Sequence, residues 1–186
     1  MARVKLIEKD QAPAEVAELY QKMESKGVPV LNLYKCLAAS PPMVSAALKV
    51  GNLLLSRAEL APKLRELVIL RVATLAGSEY EWTQHVPVAI EVGVSQSQID
   101  DIHRWMRSDQ FSGEERAVLQ YTDEVALRVK VSDDTFEALR QYLNDRQIVE
   151  LSLSIGYWGM VARVLVPLEI DIDEQIAGSL NNLTGK

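Results

Sequence analysis

The feature that most constrains this 186-residue chain is where its helix breakers fall: prolines and glycines punctuate apolar stretches of helical spacing. Pro13 opens a stretch with Val16, Leu19, Tyr20 and Met23 on one face, closed by Gly27. Ser40-Pro41-Pro42 starts the next, in which Val44, Leu48 and Leu55 recur at helical intervals. Ala61-Pro62 opens a third that Gly77 ends, and a fourth runs from Ser78 to Gly93. Val94-Ser95 leads into a helix through Ile99, Ile102 and Trp105. Ser112 and Glu115 have capping-box spacing, Ser132-Asp133-Asp134 caps a short helix, and Asn144 or Asp145 caps a long one from about Arg146 to Val166. Beyond Pro167 the chain reads as irregular, with residues 181–186 frayed. No run of alternating strands appears, so the expected class is all-α. Segments 64–76 and 148–166 are apolar on nearly all sides, which marks core helices. They lie roughly 80 residues apart and suggest two weakly related halves sharing one core. We therefore expect one domain over 1–186. It divides into N-terminal helices (1–60), motif helices (61–110), a second half (111–170) and a tail (171–186).

Composition removes several functions. The single cysteine, Cys36, rules out an internal disulfide, a CxxC redox pair and a multi-thiolate zinc site. Cys36 itself reads as a buried, inert thiol. A formal net charge of −6 argues against a nucleic-acid partner, which would need clustered Lys and Arg. No apolar run approaches the roughly 20 residues that cross a bilayer. The N-terminus carries charge where a signal peptide would be apolar. The expectation is a cytoplasmic protein with no membrane partner. The acidic window Asp171-Ile172-Asp173-Glu174 reads as solvated surface.

The stretch from Arg65 to His85 concentrates the groups that could do chemistry. On a helix, Ser78, Glu81 and His85 project within roughly 60° of one another. Glu81 and His85 are four residues apart, a spacing at which a carboxylate can orient an imidazole for general-base work. Glu66 adds a second carboxylate if the two helices pack antiparallel across Gly77. The same residues have a structural reading: Ser78-x-x-Glu81 is also a capping box. Tyr80 and Trp82 can be packing groups, and Arg71 can serve a buried ion pair as well as a substrate carboxylate. His103, beside Asp100-Asp101, reads as solvated. Tyr157-Trp158 could line a pocket but fits a core helix equally. A Glu66/Glu81/His85 metal site is conceivable. With no second histidine in the motif, no metal is assigned.

The segments Leu37–Pro42, Glu66–Arg71, Gly77–His85, Gly93–Ser95, Tyr121–Glu124 and Val149–Leu151 resemble the carboxymuconolactone decarboxylase/AhpD-like family over much of the chain. The resemblance implies an all-helical AhpD-like fold that assembles as a homo-oligomer: dimer, trimer or hexamer. In the family's alkylhydroperoxidase branch, a glutamate is followed after 12 and 15 residues by cysteines and after 19 by a histidine. Here those positions hold Glu66, Ser78, Glu81 and His85. Neither serine nor glutamate cycles through sulfenate and disulfide, so thiol peroxidation by that route is excluded. The decarboxylase branch implies cofactor-free proton handling on a small lactone-like or carboxylated substrate. By that resemblance His85, Glu81 and Glu66 are the catalytic candidates, with Glu81–His85 as the acid/base pair. Ser78, Tyr80, Trp82 and Arg71 are the substrate-binding candidates. A non-catalytic oligomeric binding or scaffold protein is the competing expectation.

Overall fold

Residues 2–173 are described by the computed structural model, which contains nine α-helices and, among those residues, no strand. They are α1 (Ala14–Glu24), α2 (Asn32–Leu37), α3 (Pro41–Ser56), α4 (Pro62–Ala76), α5 (Glu79–Glu91), α6 (Gln96–Asp101), α7 (Gly113–Arg128), α8 (Asp133–Arg140) and α9 (Asp145–Leu165). The expected frayed segment 181–186 and Glu174 lie outside the described residues.

The most apolar helix of the motif region becomes the centre of the molecule. Every residue of α4 from Leu64 to Ala73 is buried, and α5, α7 and α9 all pack against it. On one side Val68, Ile69 and Val72 meet Val118, Leu139 and Leu151 from α7, α8 and α9. On another, Leu67 and Leu70 meet Ala89 and Ile99 of α5 and α6, together with Ile102 and Trp105. Burying a branched aliphatic side chain stabilises by roughly 1.5–3 kcal/mol, so this helix is where the fold gains most.

Several caps form as expected. Ser95 with Gln98, Ser112 with Glu115 and Asn144 with Gln147 make reciprocal capping boxes; Asn144, rather than Asp145, is the cap of α9. Gly77 ends α4 in the left-handed region (φ 63°), and its N–H and that of Ser78 close onto Thr74 and Ala73 carbonyls. That turn folds α5 back against α4 and sets Glu66 beside His85.

Three expectations need correction. Breakers are not confined to helix ends: Pro87 lies inside α5, where it removes one backbone bond but leaves the helix intact to Glu91. The helix from Ser95 does not run through Trp105. It stops at Asp101, and a tighter turn with non-helical backbone at Arg104 covers Ile102–Arg107. Finally, α9 is 21 residues long and apolar enough, by length and composition alone, to cross a membrane. Half of its apolar window is buried inside the fold, as for a core helix.

Candidate active site

Two polar residues inside the apolar run of α4 start the site. Glu66 is completely buried and accepts Arg65 Nε–H at 3.1 Å on one carboxylate oxygen. Its other oxygen meets His85 Nδ1 at 2.8 Å. Arg65 is itself held by the Leu55 carbonyl at 3.1 Å. On the far side of the imidazole, Trp158 Nε1 of α9 lies 3.2 Å from His85 Nε2. An indole nitrogen can only donate, so Nε2 carries the lone pair and Nδ1 carries the proton that it donates to Glu66. The result is a neutral imidazole clamped between a buried carboxylate and an indole, with the two rings edge-on at 84°.

Glu81 does not orient His85, contrary to the expected i,i+4 pair; Glu66 does. Glu81 and His85 nevertheless line one cavity of about 200 Å³, with Tyr80, Gln84 and Val88 of α5 and Tyr157 and Trp158 of α9. Asn52 and Leu55 of α3, both exposed, belong to its rim. At Gly51 the Tyr157 side chain of α9 lies against α3: a Cβ there would sit 2.5 Å from the Tyr157 hydroxyl, which donates to the Ala47 carbonyl at 3.0 Å.

The Glu81 carboxyl is the unusual group. It is 2% exposed, and neither oxygen has a hydrogen-bond partner among the described residues. Burial pushes it up to about 7, opposed by the nearby Ser78 hydroxyl. The capping-box reading also fails: Ser78 takes the cap position of α5, but its side chain makes no cap hydrogen bond, and its hydroxyl is buried without a partner. The carboxyl that would have closed the helix end faces the cavity instead.

The remaining candidates disperse. Arg71, expected to hold a substrate carboxylate, is absent from the cavity. It grips Asp123 of α7 through two bonds of 2.6 and 2.9 Å and donates to the Ile102 carbonyl. Trp82 packs against the α4–α6 core and, with Ser78, lines a separate groove that also contains His103. Neither therefore serves the cavity as a substrate-binding wall. Tyr80 does line it, but its hydroxyl donates to Asp173 and accepts the Leu33 N–H. Burial, aided by Asp173, raises the phenol well above its ordinary value. Asp173 also accepts the Asn32 N–H at 2.8 Å, so part of the acidic window expected on the surface ties the tail to α2 and α5. Cys36 is buried, and burial raises its thiol. Among the described residues no three metal-ligating side chains converge, so the Glu66/Glu81/His85 metal set does not assemble.

Arg65 escaped the sequence reading, and Trp158 was read as a possible pocket lining without its hydrogen bond to His85. Arg65 signalled itself as a second charged group in an apolar helix, which demands a buried partner. Trp158 did so by its indole N–H, which seeks an acceptor when buried. A larger depression of about 590 Å³, walled by Glu8, Lys9 and Glu24, is not a competing site: Lys9 and Glu24 pair with each other, and it holds no proton-carrying group without a partner.

The chain is similar to known proteins in sequence and in fold. Residues 41–124 match the carboxymuconolactone decarboxylase family model. An uncharacterized protein, YdfG of Bacillus subtilis (strain 168), is 29% identical over 94 residues, covering 50% of this chain and 64% of that relative's length. A peroxidase-related protein from Silicibacter sp. TM1040 superposes with a TM-score of 0.81 at 18% identity, over 95% of this chain and 94% of its own. A protein of unknown function from Agrobacterium tumefaciens, named for the antioxidant defence protein AhpD, gives 0.69 at 27% identity over 73% and 93%.

Proposed function

We propose that this chain, a carboxymuconolactone decarboxylase/AhpD-like protein lacking the redox cysteine pair, is a cofactor-free acid/base enzyme acting on a small lactone-like molecule. The observation that carries the reading is one cavity holding two proton-handling groups of different kinds. His85 is neutral and anchored by Glu66, while Glu81 is buried, unpartnered and raised to about 7.

Their environments divide the work. Entry of a substrate or water displaces the Trp158 indole from His85 Nε2 and exposes a lone pair. A proton taken there leaves an imidazolium facing the Glu66 carboxylate, which Arg65 braces, so the charge formed in the reaction meets a fixed opposite charge. Glu81, protonated below about pH 7, can donate to an ester carbonyl or to an enolate carbon. Hydrolysis of a lactone needs one group to activate water and another to polarise the carbonyl, which is this division. Holding the carboxylate of a decarboxylation substrate calls for a cation, and Arg71, the candidate for that role, is committed to Asp123. The electrostatics therefore favour hydrolysis or proton shuffling over loss of CO₂. The reading places the enzyme in the cytoplasm as a homo-oligomer: Val149, Leu153 and Met160 expose an apolar row along α9 that a second copy would cover.

The test is a screen of neutral and carboxylated lactones with wild type, His85→Gln and Glu81→Gln. Loss of turnover by about a hundredfold or more in both variants supports the reading. Turnover unchanged in both removes the His85–Glu81 assignment, no wild-type turnover on any lactone removes the enzyme reading in favour of a non-catalytic binding protein, and a monomer by light scattering removes the oligomer.

A further inference from the structure

The charges around the cavity say more about its ligand than its shape does. We infer that the cavity takes a molecule of about one substituted ring that carries no negative charge, and that it rejects carboxylates. The inference rests on reading the Glu81–His85 cavity as the ligand site. Its grounds are three. Among the described residues no Lys or Arg lines the cavity, so an entering anion finds no counter-charge from them. Arg65, the nearest guanidinium in the constellation, spends its Nε–H on Glu66 and an Nη1–H on the Leu55 carbonyl. Among the described residues, the one buried charge-bearing group whose oxygens are left without partners is itself an acid, Glu81. The partial positive end of α5 does not alter this, because Glu79 and Glu81 already occupy its first turn.

The penalty is visible in the protein's own side chain. Burial drives the Glu81 carboxyl towards its uncharged form, and a ligand carboxylate entering the same space meets the same desolvation, joined above about pH 7 by repulsion from the ionised Glu81. The aromatic and aliphatic walls, Tyr34, Tyr157, Trp158, Leu48 and Val161, suit a ring. A volume of about 200 Å³ admits one with a small substituent, given that a cavity of about 150 Å³ holds benzene. An N–H or O–H on that substituent would satisfy the orphaned oxygens. Hydrolysis of an uncharged lactone would also leave a carboxylate product that this cavity expels.

Benzamide and benzoate form an isosteric pair that isolates the charge. Their binding is measured by calorimetry at about pH 8.5, where Glu81 and benzoate are both ionised. Wild type is expected to bind benzamide at least about tenfold more tightly than benzoate, and Glu81→Gln to bring the two within about threefold. Benzoate binding as tightly as benzamide to wild type overturns the inference. So does an unchanged ratio in a Glu81→Gln protein whose thermal unfolding shows it folded, or failure of benzamide to bind at millimolar concentration. The wild-type pair decides the matter alone should the variant not fold. His85→Gln, which removes the base but not the anion-excluding group, should keep the preference. If turnover proves indifferent to His85 and Glu81 while that preference stands, the acid/base reading fails and the ligand class survives.

Discussion

At the scale of single residues, two carboxylates on adjacent helices have opposite fates because their partners differ. Glu66 is more deeply buried than Glu81, yet each of its oxygens has a partner, Arg65 or His85. Glu66→Gln keeps the shape and removes the charge. We expect a stability loss of about 1.5–3 kcal/mol for a hydrogen bond to a charged group and a fall of about a hundredfold in the activity found by screening. The downfield proton resonance of His85 Nδ1–H should vanish, a signature that loss of stability alone would not produce. Glu81 behaves in the reverse sense. Its folded carboxyl keeps a proton that the unfolded chain loses, so stability falls as pH rises from about 4.5 to about 7 and is level beyond. The span corresponds to about 3 kcal/mol. Urea denaturation of wild type and Glu81→Gln at about pH 5 and about pH 8 should show the variant gaining relative to wild type at the higher pH. A constant difference between the two proteins would contradict a raised carboxyl. Of these roles the sequence displayed the residue types and their spacing. It could not show which carboxylate reaches the imidazole, because 19 residues of chain separate Glu66 from His85 and only the turn at Gly77 closes that distance.

At the scale of elements, caps separate what local sequence decides from what packing overrides. Ser112-x-x-Glu115 and Ser78-x-x-Glu81 have the same spacing, and the first forms its reciprocal bonds while the second does not. Ser112→Ala should therefore cost about 1 kcal/mol and Ser78→Ala no more than about 0.5 kcal/mol in chemical denaturation. Equal losses would mean that Ser78 caps after all. Helix positions were legible throughout α3, α4, α7, α8 and α9, where apolar period and punctuation agree. The helix read from Ser78 to Gly93 also forms, carried through Pro87 by packing on α4, but the reading failed at Arg104, where a tight turn replaces the expected continuation.

At the scale of the molecule, the Arg71–Asp123 clamp joins α4 to α7 and, through the Ile102 carbonyl and the Trp105 indole on Asp123, to the turn after α6. Removing one member of a buried pair leaves the other uncompensated. Arg71→Ala is expected to lower stability by about 3–5 kcal/mol. Benzamide affinity of the protein that remains folded should stay within about twofold of wild type, since Arg71 is no part of the cavity. A selective loss of affinity at unchanged stability would restore Arg71 to the binding role expected from its place in the sequence.

The sequence by itself determined that the protein is helical, which two helices form its centre, and that no thiol redox cycle can run at Ser78 and Glu81. Those properties follow from local periodicity, punctuation and residue chemistry, each readable within a turn or two of chain. Only the tertiary structure decided the wiring of the site. Burial makes the identity of a polar group's partner the dominant energy, and partners come from helices far apart in sequence: Glu66 for His85, Asp123 for Arg71, Trp158 for the imidazole's other face, and for Glu81 no hydrogen-bond partner among the described residues.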